Sequence, residues 1–450
     1  MLPRTLRHED GAYVLERVID GDCSAVVGLS NTGKSHLLRS LADRDVQRRY
    51  GEDRLADHVF VYVDFNRMLE ATEQGFYELV LRCLVEELTI LDPEAVFMDR
   101  LQSSYQTLVA PPSAFQISLS FSEGLTAVCQ GTTNNLVLLF DEFDEPFEQL
   151  DGRVFLNLRA LKDKYPRRIN FVTGTNRRLS STRRGRDVDE FVELFEPFTR
   201  FLGPLPKADV DEVISWVAAQ EGYTFGDKDH AFLYHHADGH LGLLLAVSRA
   251  LGEVTGEPVR DSGQDWLIHR QVREQLDQDA NVQGECRKLW DDLTESQQDA
   301  LMAVVGSEQD VDRRAIESMR NKGVIRRGED LLFSPVFEGF VRRQRLTRRR
   351  RHEGVQVDVE SGKVWVDGQE IPTLTDLEYR LLLLLYGQLD KICDKYQIVE
   401  AVWGEEYIDQ VDDARIDKLL SRLRAKVEPD PRNPRYIITV RSRGYRLVKS

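Results

Sequence analysis

The segment Gly28-Leu-Ser-Asn-Thr-Gly-Lys-Ser35 has the spacing G-x-x-x-x-G-K-S, between the apolar run Ser24-Ala-Val-Val27 and the helix-like run His36-Leu-Leu-Arg-Ser-Leu41. These residue types at this spacing suit the holding of phosphate. Gly28 and Gly33 permit a tight turn that aims successive N–H groups at phosphate oxygens, with Asn31 and Thr32 completing the loop. Lys34 reaches the outer phosphates, and the Ser35 hydroxyl is a Mg²⁺ ligand. The following helix adds the partial positive charge of its N-terminus. A second stretch, Asn135-Leu-Val-Leu-Leu-Phe-Asp-Glu142, reads as a buried strand ending in two carboxylates. Asp141 is placed to hold Mg²⁺, and Glu142 to orient or deprotonate a water attacking the terminal phosphate. The expected ligands are a nucleoside triphosphate and Mg²⁺. The nearby Asp144 and Glu145 read as surface.

The elements that must position these groups alternate between strand and helix over residues 10–205. His58-Val-Phe-Val-Tyr-Val-Asp64 is β-rich, whereas residues 73–91 carry apolar side chains at helical spacing. Phe115-Gln-Ile-Ser-Leu-Ser-Phe121 alternates strictly and predicts a half-buried strand or hairpin. Ile169-Asn-Phe-Val-Thr-Gly-Thr-Asn176 is a further strand with a polar end, and Phe201–Pro206 closes the series. Such interleaving predicts a parallel sheet covered on both faces, with ligand at the strands' carboxyl ends. Residues 208–286 turn helical. Residues 286–345 hold two or three short helices and a small hairpin over 323–333. The basic run from Arg342 to His352 reads as a solvated linker.

Composition bounds the remaining possibilities. The 450 residues suggest about three domains. They carry 41% hydrophobic residues, enough for well-formed cores, with no run of membrane-spanning length. The first ten residues lack the apolar stretch of a secretory signal. Five scattered cysteines without a C-x-x-C pair fit a reducing, cytoplasmic setting and argue against disulfides or zinc. The net charge is −16, yet residues 414–450 hold eleven Lys/Arg against three Asp/Glu. That asymmetry marks the C-terminal end as the nucleic-acid contact.

The order of the phosphate loop, Asp141-Glu142, Thr175-Asn176, Arg200-Phe201 and a helical segment containing Gly239-His240 resembles the AAA+/STAND ATPases, and most closely the bacterial ATPases related to origin-recognition proteins. The resemblance covers roughly residues 10–285. It implies that Thr175 or Asn176 senses the terminal phosphate, and that Arg200 acts as a finger in a neighbouring subunit, with a structural ion pair as the alternative. Arg183, Arg184 and Arg186 compete for the finger role. His240 is either a lid contact to nucleotide or a packing turn. No arginine in the lid matches the family's second sensor, and no long sensor repeats follow.

Near the C-terminus, Thr375…Glu378 opens an amphipathic helix with a capping box. Residues 412–427 form a longer helix with Ile416, Leu419, Leu420 and Leu423 on one side and Arg415, Lys418, Arg422 and Lys426 largely on the other. Tyr436–Leu447 reads as a hairpin with a basic tip. A basic helix suits the major groove of duplex DNA, and a basic hairpin the adjacent backbone. Leu374-Thr-Asp-Leu-Glu-Tyr, Val402-Trp403, Arg422-Leu-Arg424 and Thr439-Val-Arg-Ser-Arg-Gly-Tyr-Arg446 strongly resemble the OmpR/PhoB winged-helix DNA-binding domain. The resemblance implies Arg415, Lys418, Arg422 and Arg424 on the recognition helix and Arg441 and Arg443 on the wing. No receiver domain precedes it.

The expected architecture is therefore an α/β P-loop ATPase with a parallel sheet and helical lid, followed by two winged-helix (α+β) domains. The boundaries are 1–205 core, 206–285 lid, 286–345 first winged helix serving as spacer or autoinhibitory dock, 346–353 basic linker and 354–450 DNA-binding domain. The catalytic set is Glu142, Arg200 and Asn176. Gly28, Asn31, Thr32, Gly33, Lys34, Ser35 and Asp141 bind the cofactor, with Ser35 and Asp141 on the metal. The expected function is a cytoplasmic bacterial transcriptional regulator that binds double-stranded DNA under nucleotide control, hydrolyses ATP slowly and assembles as a nucleotide-dependent homo-oligomer, without membrane contact. The alternative is a DNA-stimulated ATPase of an initiator, mobile element or defence system, and a third possibility is a signalling scaffold.

Overall fold

The computed structural model describes residues 2–91, 96–255, 265–307, 311–326, 328, 331–352, 354–359, 361–408 and 410–448. The chain divides into two compact units, Met1–Val341 and Arg342–Ser450.

The first unit is built on five parallel strands: β1 (Ser24–Val27), β2 (His58–Asp64), β3 (Asn135–Asp141), β4 (Ile169–Thr175) and β5 (Thr199–Phe201). Their spatial order is β2-β3-β4-β1-β5. β3 and β4 are buried along nearly their whole length because helices cover both faces of the sheet. The register sets Asp64 beside Asp141 and Val27 beside Thr175. Every strand therefore ends at one edge, and the phosphate loop, the carboxylate pair and Asn176 all leave from that edge.

Helices α1 (His8–Asp20), α2 (Lys34–Leu41) and α3 (Arg44–Gly51) flank the first strands, and α2 begins at the phosphate loop. Between β2 and β3 stand α4 (Glu73–Leu91), α5 (Met98–Val109) and α6 (Ala114–Gly131). The alternating segment 115–121 is thus the start of α6 and not a strand. Over the longer window Phe121, Leu125, Val128 and Cys129 follow a helical repeat and are buried, while Phe115 stays 79% exposed. The four-step spacing through residue 129 outweighs the local two-step pattern. Four short or medium helices follow: α7 (Asp144–Gln149), α8 (Gly152–Lys164), α9 (Leu179–Thr182) and α10 (Asp189–Val192).

An aromatic cluster packs one face of the sheet. Phe143 lies 5.4–6.5 Å from the rings of Phe65, Phe76, Phe140, Phe147, Phe155 and Phe191. This anchors the residue that directly follows Glu142.

The helical segment expected as the lid holds α11 (Lys207–Glu221), α12 (Asp227–Ala237), α13 (Leu241–Thr255) and α14 (Asp265–Leu276), and α15 (Ala280–Asp291) begins within it and runs past residue 285. Then come α16 (Glu295–Val305), α17 (Arg313–Asn321), a minimal hairpin pairing Ile325 with Leu332, and α18 (Pro335–His352). Leu301, Met319, Phe333 and Phe337 share one continuous core with the lid residues Val213, Leu233, Leu244 and Val247. The basic run 342–352 is helical, as the second half of α18.

The second unit has a three-stranded antiparallel sheet of β6 (Val355–Val357), β7 (Val364–Val366) and β8 (Gln369–Glu370). Helices α19 (Asp376–Gly387), α20 (Lys395–Trp403) and α21 (Asp413–Val427) precede the hairpin of β9 (Ile437–Val440) and β10 (Gly444–Leu447). The Thr375–Glu378 capping box forms as expected. Gly444 has φ +133°, and a Cβ there would sit 2.0 Å from the Cys393 carbonyl oxygen, so the wing closes onto the segment before α20 only with glycine.

Phe143→Ala should destabilise the first unit by about 3–5 kcal/mol, the usual cost of truncating a fully buried ring. Chemical denaturation of the full chain checks this.

Candidate functional site

The phosphate loop has the backbone that its sequence requires. Asn31 (φ +56°) and Gly33 (φ +100°) take left-handed conformations, which glycine adopts without steric cost. Lys34 is buried, and its ammonium donates to the carbonyls of Gly28 (2.8 Å) and Leu29 (3.0 Å) and to Asn176 Oδ1 (2.6 Å). Burial lowers the Lys34 pKa, and the neighbouring Glu142, Asp292, Asp144 and Asp141 oppose that shift.

Asp141 ends β3 with one oxygen accepting from the Tyr62 hydroxyl at 2.5 Å. Its Oδ1 is fully buried and has no hydrogen-bond partner among the described residues. A carboxylate oxygen left bare in this way fits a cation ligand, so the donor set of Asp141 and Ser35 suits Mg²⁺. Arg39 donates to the Tyr62 hydroxyl at 2.9 Å and so braces it behind Asp141. Glu142 holds φ +54°, a strained conformation for a non-glycine residue, and it faces the cavity. Burial raises its pKa, opposed by Lys34.

Asn176 is the sensor candidate that touches the lysine. Its backbone N–H donates to both oxygens of Asp144, at 3.0 and 2.9 Å. Asp144 is therefore half-buried behind the site and not the plain surface residue that its position in the chain suggests. Thr175 instead donates its hydroxyl to the Arg177 carbonyl.

A cavity of about 470 Å³ opens between the loop and the lid. Gly33, Lys34, Ser35 and Glu142 line one side, while Leu241, Leu245, Ala246 and Arg249 of α13 and Asn281 and Glu285 of α15 line the other. Its size and mixed lining are those of a small-molecule site.

Two further predicted residues have different placements. His240 Nε2 lies 3.1 Å from the Ser30 carbonyl, and its Nδ1 accepts from the Leu243 N–H. The ring is thus neutral and ties the lid to the phosphate loop, and burial pushes its pKa down to about 4. Arg200, on β5, is not brought to the cavity. It donates to Asp10 Oδ1 at 2.7 Å and lies over the Tyr13 ring, which is the structural ion pair in this subunit. Among its competitors, Arg183 binds the Leu150 carbonyl and Asp187.

Spacing alone missed Arg7, Glu285, Asp292 and Lys322. Arg7 is buried, and its guanidinium donates to the Thr32 carbonyl (2.7 Å) and the Gly203 carbonyl (2.7 Å), clamping the loop from behind. Glu285 accepts from Asn31 Nδ2 at 2.7 Å. Asp292 accepts from the Ser30 N–H (2.5 Å) and the Ser30 hydroxyl (3.0 Å). Arg7, Glu285 and Asp292 stand 25, 254 and 262 residues from the loop residues they bind and carry no local motif.

In the second unit, Arg415, Lys418 and Arg422 lie exposed on α21 at three- and four-residue intervals, on one helix face. Arg415 also stacks over the Trp403 ring at 5.7 Å. Arg441 and Arg443 are exposed in the turn between β9 and β10. Arg424 differs from these. Its guanidinium donates to the Ile437 carbonyl (2.6 Å) and to Thr439 Oγ1 (2.8 Å), joining α21 to the wing. Tyr445 adds a second tie through Asp417 at 2.6 Å.

Fold and site together define a first unit in which a G-x-x-x-x-G-K-S loop leaves the edge of a five-stranded parallel sheet, followed by a winged-helix domain. The winged helix is of the OmpR/PhoB type: residues 368–447 match the family described as transcriptional regulatory protein, C terminal. The chain is 37% identical over 97 residues to the alkaline phosphatase synthesis transcriptional regulatory protein SphR of Synechococcus elongatus, covering 22% of this chain and 37% of that protein. It thus spans well under half the length of that curated relative. Among solved structures, the RstA DNA-binding domain of Klebsiella pneumoniae in complex with the RstA box is 26% identical, covering 22% of this chain and 93% of that one, with a TM-score of 0.20. The ADP form of the Aeropyrum pernix ORC2 protein is 13% identical, covering 83% and 92%, with a TM-score of 0.42. No helix among the described residues is long and apolar enough to cross a membrane.

Two predictions arise from these contacts. The folded-state pKa of His240 lies below the unfolded value near 6.5, so the unfolded chain binds more protons between about pH 6.5 and 4, and stability falls on acidification through that window. His240→Gln should narrow the stability difference between pH 7.5 and pH 5 by about 2 kcal/mol, read from denaturation midpoints. Arg424→Ala should destabilise the second unit by about 1–2 kcal/mol through loss of its bonds to the wing, whereas Arg422→Ala leaves the unfolding transition unchanged.

Proposed function

We propose that the protein is a cytoplasmic bacterial transcriptional regulator that binds ATP with Mg²⁺ and uses nucleotide state to control its grip on double-stranded DNA. The observation that carries the nucleotide half is the convergence of Lys34, Asn176 and the unpartnered Asp141 oxygen at one sheet edge. The loop N–H groups and Lys34 would cradle the phosphates, and the apolar lining from Leu241 and Leu245 suits the nucleoside. Mg²⁺ held by Ser35 and Asp141 would screen phosphate charge. Glu142 is the base for a slow hydrolysis, since it lines the cavity and burial raises its pKa above the ordinary carboxylate range. Asn176, hydrogen-bonded to Lys34, is the group that distinguishes tri- from diphosphate.

In the DNA half, Arg415, Lys418 and Arg422 enter the major groove and Arg441 and Arg443 contact the flanking backbone. Arg424 acts by holding the wing in register with the helix. Arg200, paired with Asp10 within one subunit, is available to a neighbouring site only if that pair exchanges on assembly into a homo-oligomer.

The test is DNA selection from a random library with ATP, with ADP and without nucleotide, followed by affinity measurements on the selected duplex. The expected result is one preferred site whose affinity changes with nucleotide in the wild type and not in Lys34→Ala, which should lose ATP binding. Arg422→Ala and Arg443→Ala should each reduce the salt slope by about one. ATP turnover stimulated equally by any DNA would favour a DNA-loading ATPase instead, and absence of salt-dependent duplex binding would favour a scaffold.

A further inference from the structure

Glu285 in α15 and Asp292, which caps the C-terminus of that helix, stand seven residues apart, about two helical turns along one side. Both side chains reach the phosphate loop, at the adjacent residues Asn31 and Ser30. The Asp292 carboxylate accepts from the Ser30 N–H (2.5 Å), the Ser30 hydroxyl (3.0 Å) and Asn176 Nδ2 (3.2 Å). Asn176 also reaches the Lys34 ammonium, since its Oδ1 accepts from that lysine at 2.6 Å, and Lys34 further donates to the carbonyl of Leu29, the residue before Ser30. The same helix end is fixed by Arg177, whose guanidinium donates to the Asp292 carbonyl at 3.2 Å. Lys322, buried at the end of α17, lies within electrostatic reach of Asp292, Asp144, Arg177 and Lys34. A carboxylate is thus bound by a loop N–H, a hydroxyl and the sensor amide, with three cations around it. Those are the groups that a terminal phosphate would use.

We propose that Asp292 is an internal ligand of the phosphate site: its carboxylate occupies the terminal-phosphate end of the cradle, so that ATP and the docked α15–α17 segment compete for the same donors. This rests on the nucleotide-binding reading above. Two anions cannot share three donors at van der Waals separation, so ATP must displace Asp292 and loosen the contact between α15 and the loop. The competition costs apparent affinity in proportion to the fraction of molecules in which the carboxylate is seated. It also gives residues 280–341 a means of reporting nucleotide, since the released segment includes α16, α17 and the first turns of α18. A lid that merely packed against the nucleoside would need apolar contacts from α15 and no carboxylate on the phosphate donors.

Calorimetric titration of the full-length wild type, Asp292→Asn, Asp292→Ala and Lys34→Ala with Mg²⁺-ATP tests the proposal, with hydrogen exchange of α15 measured alongside. Asp292→Asn keeps the shape and removes the charge, so it guards against a folding artefact in the alanine variant. The expected result is about tenfold tighter ATP binding in both Asp292 variants, as for loss of a charged competitor, with ATP speeding exchange in α15 of the wild type. Equal affinity in wild type and both Asp292 variants, with binding lost only in Lys34→Ala, would overturn the internal ligand and leave the nucleotide site standing. Weaker binding in both Asp292 variants would also overturn it. If none of the four proteins bound ATP, the nucleotide reading itself would fall, and the inference with it.

Discussion

A buried ammonium must be surrounded by acceptors or lose its proton, and the first unit is arranged around meeting that requirement for Lys34. Two loop carbonyls and the Asn176 amide oxygen bind it directly, and four carboxylates compensate its charge at longer range. These groups come from the loop after β1, the ends of β3 and β4, and α15. They meet only because the strands run parallel and end in register. Arg7 clamps the loop from the N-terminal side through the Thr32 carbonyl, and His240 does so from the lid through the Ser30 carbonyl. The loop is consequently tied down on both sides while its N–H groups remain turned toward one point.

The packing beneath the site is aromatic and rigid where the chemistry needs fixed geometry. Phe143 is locked among six rings, so the preceding Glu142 is held at a backbone angle that it would not adopt in a free chain. Tyr62 and Arg39 form a second layer that occupies one oxygen of Asp141 and leaves the other bare. The lid has a different character. Its core is continuous with that of α16–α18, so motion of α15 is felt through the helices that follow it.

In the second unit, side chains divide between holding and presenting. Arg424, Tyr445 and Lys426 carry contacts that fix α21 against the wing and against α19. Arg415, Lys418, Arg422, Arg441 and Arg443 project from that frame. Five exposed cations on a braced helix and turn form a rigid electrostatic surface, the arrangement that phosphate recognition favours.

Local chemistry was legible in the residues themselves. The phosphate loop, the carboxylate pair, the capping box at Thr375 and the basic face of α21 each depend on spacing within a dozen residues. The strand assigned to 115–121 failed because a two-step pattern in seven residues was outweighed by a helical repeat extending to Cys129. Arg424 could not be told from Arg422 along the chain, because its partner carbonyl at Ile437 lies across the hairpin. Asp292 carried no signal, since its partners Ser30 and Asn176 are 262 and 116 residues away. The sequence by itself therefore determined where the loop turn, the strand-end carboxylates and the basic helix face lie, because backbone turns and helix faces follow from short-range residue order. Only the tertiary structure decided which carboxylate sits on Ser30 and Asn176 and which arginines are already engaged, because long-range pairing is set by how distant segments pack together.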